Sequence, residues 1–129
     1  MTDPIADMMT RLRNANIVFK PYADVSWSKL KEGILGVLKE EHYIKDWEII
    51  EADGKKILRV HLLYSEKKPT ISKVRKLSKP GCRVYISADK IAKEKHDTGI
   101  AVLTTSKGII SSRKAKELNV GGELLFYIW

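Results

Sequence analysis

The 129-residue sequence has one cysteine, Cys82, and no apolar run long enough to cross a membrane. A single cysteine cannot form a disulfide within the chain, so the sequence favours a reducing compartment. A membrane-spanning helix needs about 20 mostly apolar residues, and no stretch approaches that length. The opening residues, MTDPIADMM, are acidic, whereas a secretory or mitochondrial leader is basic. These absences predict a cytoplasmic protein that does not act on membranes.

The sequence also lacks the residue patterns of common enzyme and metal sites. His42, His61 and His96 lie in three different predicted elements, and none has another histidine or a cysteine three or four residues away. Ser106 and Lys107 are adjacent, so their side chains point to opposite sides of an extended chain and do not form a catalytic pair. The glycine spacing of a phosphate-binding loop is missing as well. We therefore expect no enzyme activity, no metal, no cofactor and no small-molecule substrate.

The net charge of +8 lies entirely in the second half of the chain. Residues 1–64 hold ten Lys and Arg and ten Asp and Glu, whereas residues 65–129 hold fourteen and six. A field of one sign on one half favours a polyanionic partner there. A solvated basic surface without a specific partner is the alternative that charge alone leaves open.

The first half is predicted to fold as helix, strand, helix, strand, strand. Asp3 caps the first helix and Pro4 begins it. Its inward face carries four apolar side chains: Ile5, Met8, Met9 and Leu12. Ser28 caps the second helix, whose apolar stripe is predicted as Leu30, Ile34, Val37 and Leu38. Asp53-Gly54 joins the last two strands in a hairpin.

The second half is predicted to be mainly β-structure with one short helix. Residues 65–70, SEKKPT, are polar and contain a proline, so we expect a linker between domains at 1–64 and 71–129. Strands are expected at 83–87, 100–103 and 124–129, and a short helical turn within 88–95. Ser111 caps the helix, Ala115 and Leu118 face inward, and Asn119 ends it. The predicted fold class is therefore α+β with two small domains.

A run of hydroxyls and a lysine, Thr104, Thr105, Ser106 and Lys107, ends the strand predicted at 100–103. A helix start is predicted soon after it, which would place the hydroxyls and free backbone N–H groups at a rigid edge. Hydroxyls can bind a phosphate, a ribose hydroxyl or a base edge, and RNA displays all three in its shallow minor groove. A polar turn whose hydroxyls cap the following helix remains the alternative.

The stretch GIAVLTTSKGIISSRKAK, Gly99 to Lys116, resembles the signature of the bacterial-type small-subunit ribosomal protein 8 family. It has the family's glycine, aliphatic pair, hydroxyl residue, threonine, second glycine and second aliphatic pair in order. Four other segments resemble the family too: TDPIADMMTRLRNAN, SKLKEGILGVLKEE, SKPGCRVY and VGGELLFYIW. The resemblance therefore covers essentially the whole chain, and it implies two tightly packed domains.

The resemblance also implies a function. Members of this family are structural proteins of the small ribosomal subunit, without enzymatic activity. They bind the central domain of small-subunit ribosomal RNA early in assembly and organise the platform beside neighbouring ribosomal proteins. Some also repress translation by binding a similar structure in their own messenger RNA.

Residue by residue, the family's main RNA-contacting loop matches Thr104, Thr105, Ser106, Lys107 and Gly108. Glu123 matches a glutamate beside that loop, which accepts hydrogen bonds from base or ribose groups or pairs with a neighbouring lysine. The family's basic turn matches Lys79, Gly81, Arg83 and Tyr85. In the first half, a secondary RNA surface, partly structural, matches Thr2, Asp3, Pro4, Arg11, Asn14, Lys29 and Lys31.

The sequence departs from the family pattern at a few positions. Thr104 stands where serine is usual, and Cys82 stands where a basic residue is common, which removes one expected phosphate contact. Ser26-Trp27 replaces a proline and a small residue, and His42 replaces a glycine. Ser111-Ser112 replaces the usual Thr-Asp at the helix start. None of these changes removes the chemistry that reads RNA.

Overall fold

The computed structural model describes residues 3–66, 68–93 and 99–129. It combines helices with antiparallel sheets, which confirms the predicted α+β class. Contacts between Cα atoms divide the chain into two compact units after Ser72, which we call the first and the second unit. The predicted boundaries at 1–64 and 71–129 stay a prediction. Across the described ranges, no helix is long and apolar enough to cross a membrane.

The first unit follows the predicted order of helix, strand, helix, strand, strand. Its main elements are α1 (Pro4–Ile17), β1 (Tyr22–Ser26), α2 (Lys29–Glu40), β2 (Ile44–Ala52) and β3 (Lys55–Leu62). The three strands form an antiparallel sheet in the order β1-β3-β2. A short hairpin follows, formed by β4 (Tyr64–Ser65) and β5 (Lys68–Pro69), within the segment predicted as a linker.

Capping side chains set the starts of both helices, as the sequence predicts. The Asp3 carboxylate accepts hydrogen bonds from the N–H groups of Ile5 and Ala6, at 3.1 and 3.2 Å. The Ser28 hydroxyl accepts one from the N–H of Lys31 at 3.1 Å. The predicted inward face of α1 is confirmed, because its apolar members are all buried: Ile5, Met8, Met9 and Leu12.

The inward face of α2 differs from the prediction at Leu30, which is 42% exposed. Helical side chains lean toward the N-terminus, so a leucine in the first turn extends past the start of the helix and away from the core. Ile34, Val37 and Leu38 are buried as predicted, and Leu35 joins them. The buried stripe is thus shifted by part of a turn from the predicted one.

The Asp53-Gly54 pair forms the predicted hairpin turn between β2 and β3. Both residues have positive φ, 52° and 74°, which is the geometry of a two-residue turn that follows the twist of the strands. Ala52 then pairs with Lys55, and the register runs on to Trp47 opposite Val60. The turn chemistry therefore sets which residues of β3 face the core.

The second unit is built on one antiparallel sheet. Its elements are β6 (Val74–Lys76), β7 (Tyr85–Ile86), α3 (Ala88–Lys93), β8 (Ile100–Thr105), β9 (Gly108–Ser111), α4 (Ser112–Leu118) and β10 (Gly122–Ile128). The sheet order is β6-β10-β8-β9, and β7 also pairs with β10. β7 is shorter than the strand predicted at 83–87, and β6 and β9 are additional strands. The helical turn predicted within 88–95 falls on α3, and residues 94 and 95 lie outside the described ranges.

Both short helices cover one face of this sheet. The buried cluster between them and the sheet contains Ile91, Ala101, Leu103, Ile110 and Ala115, with Ile86, Val120, Leu124 and Tyr127 packed against it. Ala115 faces inward as predicted, but Leu118 does not, since it is 44% exposed. Asn119 ends the helix in the left-handed conformation, at φ 56° and ψ 50°. Because α4 ends at Leu118, this side chain lies at the exposed end of the helix.

Candidate nucleic-acid interface

The five residues Thr104–Gly108, which we call the hydroxyl turn, close a tight hairpin between β8 and β9. Thr105 pairs with Gly108, so Ser106 and Lys107 are the two turn residues. The Thr105 hydroxyl accepts a hydrogen bond from the Lys107 N–H at 3.0 Å and donates one to the Gly108 carbonyl at 2.9 Å. Gly108 has a φ of 101°, which side-chain-bearing residues disfavour. The turn is therefore fixed by its own hydrogen bonds and exposes Ser106 and Lys107.

The sequence predicted that a helix begins soon after these hydroxyls. This is wrong in one respect, because the strand β9 lies between the hydroxyl turn and α4. A strand forms at Gly108–Ser111 since its residues pair with β8 across the turn. The helix is capped farther on, where the Ser111 hydroxyl accepts a hydrogen bond from the Lys114 N–H at 3.1 Å. The capping role thus belongs to Ser111, and the alternative of a helix-capping hydroxyl loop is wrong.

Three strands place Thr104, Glu123 and Tyr85 side by side in a row beside the hydroxyl turn. Glu123 on β10 lies opposite Thr104 on β8 and opposite Tyr85 on β7. Residues directly opposite each other in antiparallel strands project from the same face of the sheet. The chain neighbours of the three pack in the helix-covered core: Leu103, Leu124 and Ile86. The row therefore projects from the face that the helices leave uncovered.

Glu123 forms an ion pair with Arg83 and, among the residues that the structure describes, not with a lysine, which was one of the two interpretations of the sequence. Arg83 Nη1 donates to Glu123 Oε2 at 3.3 Å. The glutamate side chain is 16% exposed, and the arginine side chain is 51% exposed. Tyr85 next to them is 70% exposed, which leaves much of its ring accessible. The row and its partner Arg83 thus combine a carboxylate, a guanidinium, a hydroxyl and an aromatic ring, which are groups that bind base edges, phosphates and unstacked bases.

Two consecutive glycines let β10 approach its neighbours closely enough to build this row. A Cβ atom on Gly122 would lie 2.3 Å from the carbonyl oxygen of Thr104. One on Gly121 would lie 2.3 Å from the carbonyl oxygen of Ile86. Any side chain at either position would force these backbones apart. The glycine pair therefore fixes the position of Glu123 against the hydroxyl turn.

The predicted basic turn is a separate hairpin in the same unit. Lys79 and Cys82 exchange N–H to carbonyl hydrogen bonds, both at 2.9 Å, around Pro80-Gly81. The turn is exposed, and the Ser78 hydroxyl before it accepts a hydrogen bond from the Val84 N–H at 2.9 Å. Arg83 thus contacts the row through Glu123, whereas Lys79 and Gly81 belong to this second hairpin.

The first-unit residues predicted for a secondary surface have mixed surroundings. The Asp3 carboxylate caps α1, which begins at Pro4, and Thr2 lies outside the described ranges. Arg11 forms an exposed ion pair with Asp7 at 3.1 Å. The side-chain oxygen of Asn14 accepts a hydrogen bond from Arg13 at 3.0 Å. Arg11 and Asn14 do lie on the outward face of α1, as predicted.

The two lysines at the start of α2 differ sharply. Lys29 is exposed, whereas Lys31 is only 7% exposed. The Lys31 ammonium donates to the carbonyl oxygen of Ser26 at 3.2 Å and to its hydroxyl at 2.8 Å. Its hydrogen bonds thus join α2 to the end of β1. Helical spacing separates the two lysines, because Lys31 falls on the same face as Ile34 and Leu35 and Lys29 does not. The partner Ser26 depends on how the strand meets the helix.

Shifted pKa values occur in the first unit on residues outside the predicted site. The Trp47 N–H and then the Lys39 ammonium lower the pKa of the Asp46 carboxyl. The hydrogen bonds of Asp24, at 2.9 and 3.0 Å, raise the pKa of the Arg59 guanidinium. Both are surface ion pairs, and such pairs perturb pKa values without any catalytic role.

Comparison with known proteins connects this geometry to a family. The family model described as Ribosomal protein S8 matches residues 3–129. Three of the similar relatives illustrate the match, and each is named "Small ribosomal subunit protein uS8". The relative from Pseudothermotoga lettingae is 49% identical over 99% of this chain and 98% of its own length. The relative from Geobacter sulfurreducens is 47% identical over 100% of this chain and 98% of its own length. The relative from Thermus thermophilus is 44% identical over 100% of this chain and 99% of its own length.

The chain belongs to the ribosomal protein S8 family. This confirms the resemblance seen in the sequence. It also makes the chain a ribosomal protein of the small subunit and not an enzyme, as predicted.

Proposed function

We propose that this chain binds the central domain of small-subunit ribosomal RNA through the hydroxyl turn and the adjacent row. In doing so it helps to assemble the platform of the cytoplasmic small subunit, beside neighbouring ribosomal proteins. The observation that carries the proposal is the geometry of the turn. Thr105 holds it closed, Ser106 and Lys107 project from it, and Glu123 lies opposite Thr104.

Each group in this surface has a distinct part in recognition. The Ser106 hydroxyl donates and accepts at short range, so it reads a ribose or base edge that fits the turn. The Lys107 ammonium neutralises a phosphate, and the exposed Tyr85 ring stacks on an unpaired base. The carboxylate of Glu123 accepts hydrogen bonds from base amino groups. Because a regular duplex offers few unstacked bases, the surface favours a folded RNA with an irregular helix.

The surplus charge supplies affinity without sequence information. All of the net +8 lies in residues 65–129, the part of the chain that contains the hydroxyl turn. Lysines and arginines that neutralise phosphates release counterions, so binding weakens steeply with salt. Residues of the first unit, chiefly Arg11, Asn14 and Lys29, add a secondary RNA surface under this proposal.

Two substitutions test whether the surface recognises a specific RNA or only attracts any RNA through its charge. Ser106→Ala should lower affinity for a central-domain RNA fragment by about tenfold and leave affinity for a scrambled transcript unchanged, because a hydrogen bond to RNA is lost. Lys73→Ala should lower both affinities alike. It should also reduce the slope of log affinity against log salt concentration, the salt slope, by about one. Ser72→Ala, at an exposed serine outside the turn, is the matched control. Equal losses on both RNAs from Ser106→Ala would contradict the proposal.

Glu123 allows a second test of the same surface. Glu123→Gln keeps the shape and one acceptor oxygen but removes the charge. If the carboxylate binds base amino groups, affinity for the cognate fragment falls, while affinity for the scrambled transcript rises slightly because a repelling charge is gone. If its only role is the pairing with Arg83, the two affinities change by the same factor.

The proposal extends to translational control through the same residues. A messenger RNA of this chain that displays a similar irregular helix would compete with ribosomal RNA for the hydroxyl turn. Ser106→Ala should then weaken both complexes by the same factor in a competition titration. Sedimentation of cell extract distinguishes the ribosomal role from that of a free regulator, since a ribosomal protein sediments with the small subunit.

A further inference from the structure

Two tryptophans of the first unit each lie beside a lysine ammonium, and their surroundings differ. For Trp47, the Lys39 ammonium lies 5.7 Å from the ring centroid and pairs with the Asp46 carboxylate at 3.1 Å. The Trp47 ring is half-buried, and a Cβ atom on Gly36 of α2 would lie 3.8 Å from it. The cation beside Trp47 is therefore neutralised and the ring is packed, which indicates a structural role.

The second pair, Trp27 and Lys56, is open. The Lys56 ammonium lies 5.0 Å from the ring centroid of Trp27, and the tryptophan is 38% exposed. Glu51 lies opposite Lys56 in the register of the sheet. Among the residues that the structure describes, however, Lys56 forms no ion pair with it or with another carboxylate. Trp27 thus exposes ring surface beside a cation that is not neutralised.

Hydrogen bonds fix the Trp27 ring where β1 meets α2. The indole N–H donates to Glu32 Oε1 at 2.9 Å, and the backbone N–H of Trp27 donates to the Lys56 carbonyl at 3.2 Å. A side chain that is already held in one orientation loses little conformational freedom when a ligand binds. The ring is therefore preorganised for a partner that contacts its exposed part.

The charges beside the ring favour RNA as that partner. Lys29, two residues along the chain, is exposed and likewise has no carboxylate partner in the described ranges. The nearby carboxylate of Glu32 is engaged by the indole N–H. Every nucleotide of RNA joins a base, which stacks on an aromatic ring, to a phosphate, which binds an unpaired cation. Trp27, Lys29 and Lys56, which we call the indole platform, match both parts of a nucleotide.

We propose that the indole platform binds an unpaired nucleotide of RNA, whose base stacks on Trp27 while Lys29 and Lys56 neutralise the adjoining phosphates. The inference rests on the proposed function, because it adds a contact to the same RNA-bound protein. Stacking is tolerant of sequence, since every base has a flat face. The platform therefore adds affinity for RNA with unpaired bases, whereas Ser106 adds selectivity.

The first test compares substitutions at the two tryptophans. Trp27→Leu keeps an apolar side chain without a ring, so affinity should fall about tenfold for the central-domain fragment and for the scrambled transcript alike. Affinity for a regular RNA duplex should not change, because its bases are already stacked. Trp27→Phe should retain most of the affinity, and Trp47→Phe is the matched control.

Urea unfolding confirms that each variant is folded. Wild-type affinity in Trp27→Leu, or equal losses in Trp27→Leu and Trp27→Phe, would overturn the proposal. An equal loss on the duplex would do so too, because the ring would then act through the fold and not through a base. The selectivity lost in Ser106→Ala reports separately on the proposed function, so a failure of one is distinguishable from a failure of the other.

The second test observes the ring directly. The sequence has three tryptophans, so Trp47→Phe and Trp129→Phe together leave Trp27 as the single source of indole fluorescence. A base stacked on the indole quenches its emission, and titration with the central-domain fragment should therefore reduce the signal. Unchanged emission at saturating RNA would overturn the proposal. Quenching that requires added small-subunit proteins would assign the platform to a protein partner and would overturn it as well.

Discussion

The ammonium group of Lys31 donates hydrogen bonds to the hydroxyl and carbonyl oxygens of Ser26, at 2.8 and 3.2 Å. These bonds join the start of α2 to the end of β1, and the lysine is only 7% exposed. Lys29, two residues earlier, is exposed to solvent. The two lysines are thus available for different tasks.

We predict that Lys31→Met destabilises the protein and leaves RNA affinity nearly unchanged. Removing the ammonium leaves the oxygens of Ser26 without their donor, a loss of about 1–3 kcal/mol in the free energy of unfolding. Lys29→Met should do the reverse, with little effect on stability and a salt slope of RNA binding smaller by about one. Urea unfolding and RNA titrations at several salt concentrations measure both. Loss of RNA affinity in Lys31→Met at unchanged stability would show that the ammonium leaves Ser26 for a phosphate.

We predict that Gly122→Ala disrupts the second unit near the hydroxyl turn. The new Cβ would lie 2.3 Å from the Thr104 carbonyl oxygen, so β10 and β8 must separate. Forcing backbones apart in this way costs about 1–3 kcal/mol of stability. Gly81→Ala is the control, since its Cβ meets nothing within 4 Å. Thermal unfolding of the two variants should differ clearly, and equal midpoints would mean that the sheet adjusts freely.

We predict that Thr105→Val loosens the hydroxyl turn without changing its size. The substitution removes the acceptor for the Lys107 N–H and the donor to the Gly108 carbonyl. The expected loss of stability is about 1 kcal/mol, since the turn is solvent-accessible. Hydrogen exchange of the Lys107 amide should accelerate, and selective RNA binding should fall. Ser106→Ala should lower selectivity while leaving that amide protected, which distinguishes the residue that holds the turn from the one that faces the ligand.

We predict that Asp46 contributes a small stabilisation that acid removes. The pKa of its carboxyl is lowered from 3.8 in the folded state, first by the Trp47 N–H and then by Lys39. A carboxyl whose pKa is lower in the folded than in the unfolded state stabilises the fold at pH values above its unfolded pKa. This stabilisation is lost as the pH falls through the folded pKa. The difference in stability between the wild type and Asp46→Asn should therefore be present near neutral pH and vanish once the pH has fallen below the lowered folded pKa of Asp46. A difference that persists in acid would point to a cause other than ionisation.

Local signals predict the framework of the fold correctly. Asp3 and Ser28 cap helices, Asp53-Gly54 makes a hairpin and Asn119 ends α4, all as predicted. Each of these features is decided by a side chain and the backbone within a few residues of it. Short-range chemistry of this kind can be seen in a sequence without knowledge of the tertiary structure.

Features that depend on distant partners could not be predicted in the same way. β9 has only four residues and forms because β8 pairs with it, while the capping signal at Ser111 drew attention to the helix alone. The Arg83–Glu123 pair joins residues 40 positions apart. The sequence could place Glu123 beside the hydroxyl turn by resemblance, but its partner follows from the register of three strands.

The hydrogen bonds that Thr105 makes across the hydroxyl turn have a consequence for the timing of assembly. A loop that is already ordered gives up little conformational freedom when it binds, so most of the entropic penalty falls on the nucleic acid. If the turn binds RNA as proposed, we expect the folding of the RNA to limit the rate of complex formation. Conditions that complete that folding, such as added magnesium, should speed complex formation even when the protein concentration stays constant.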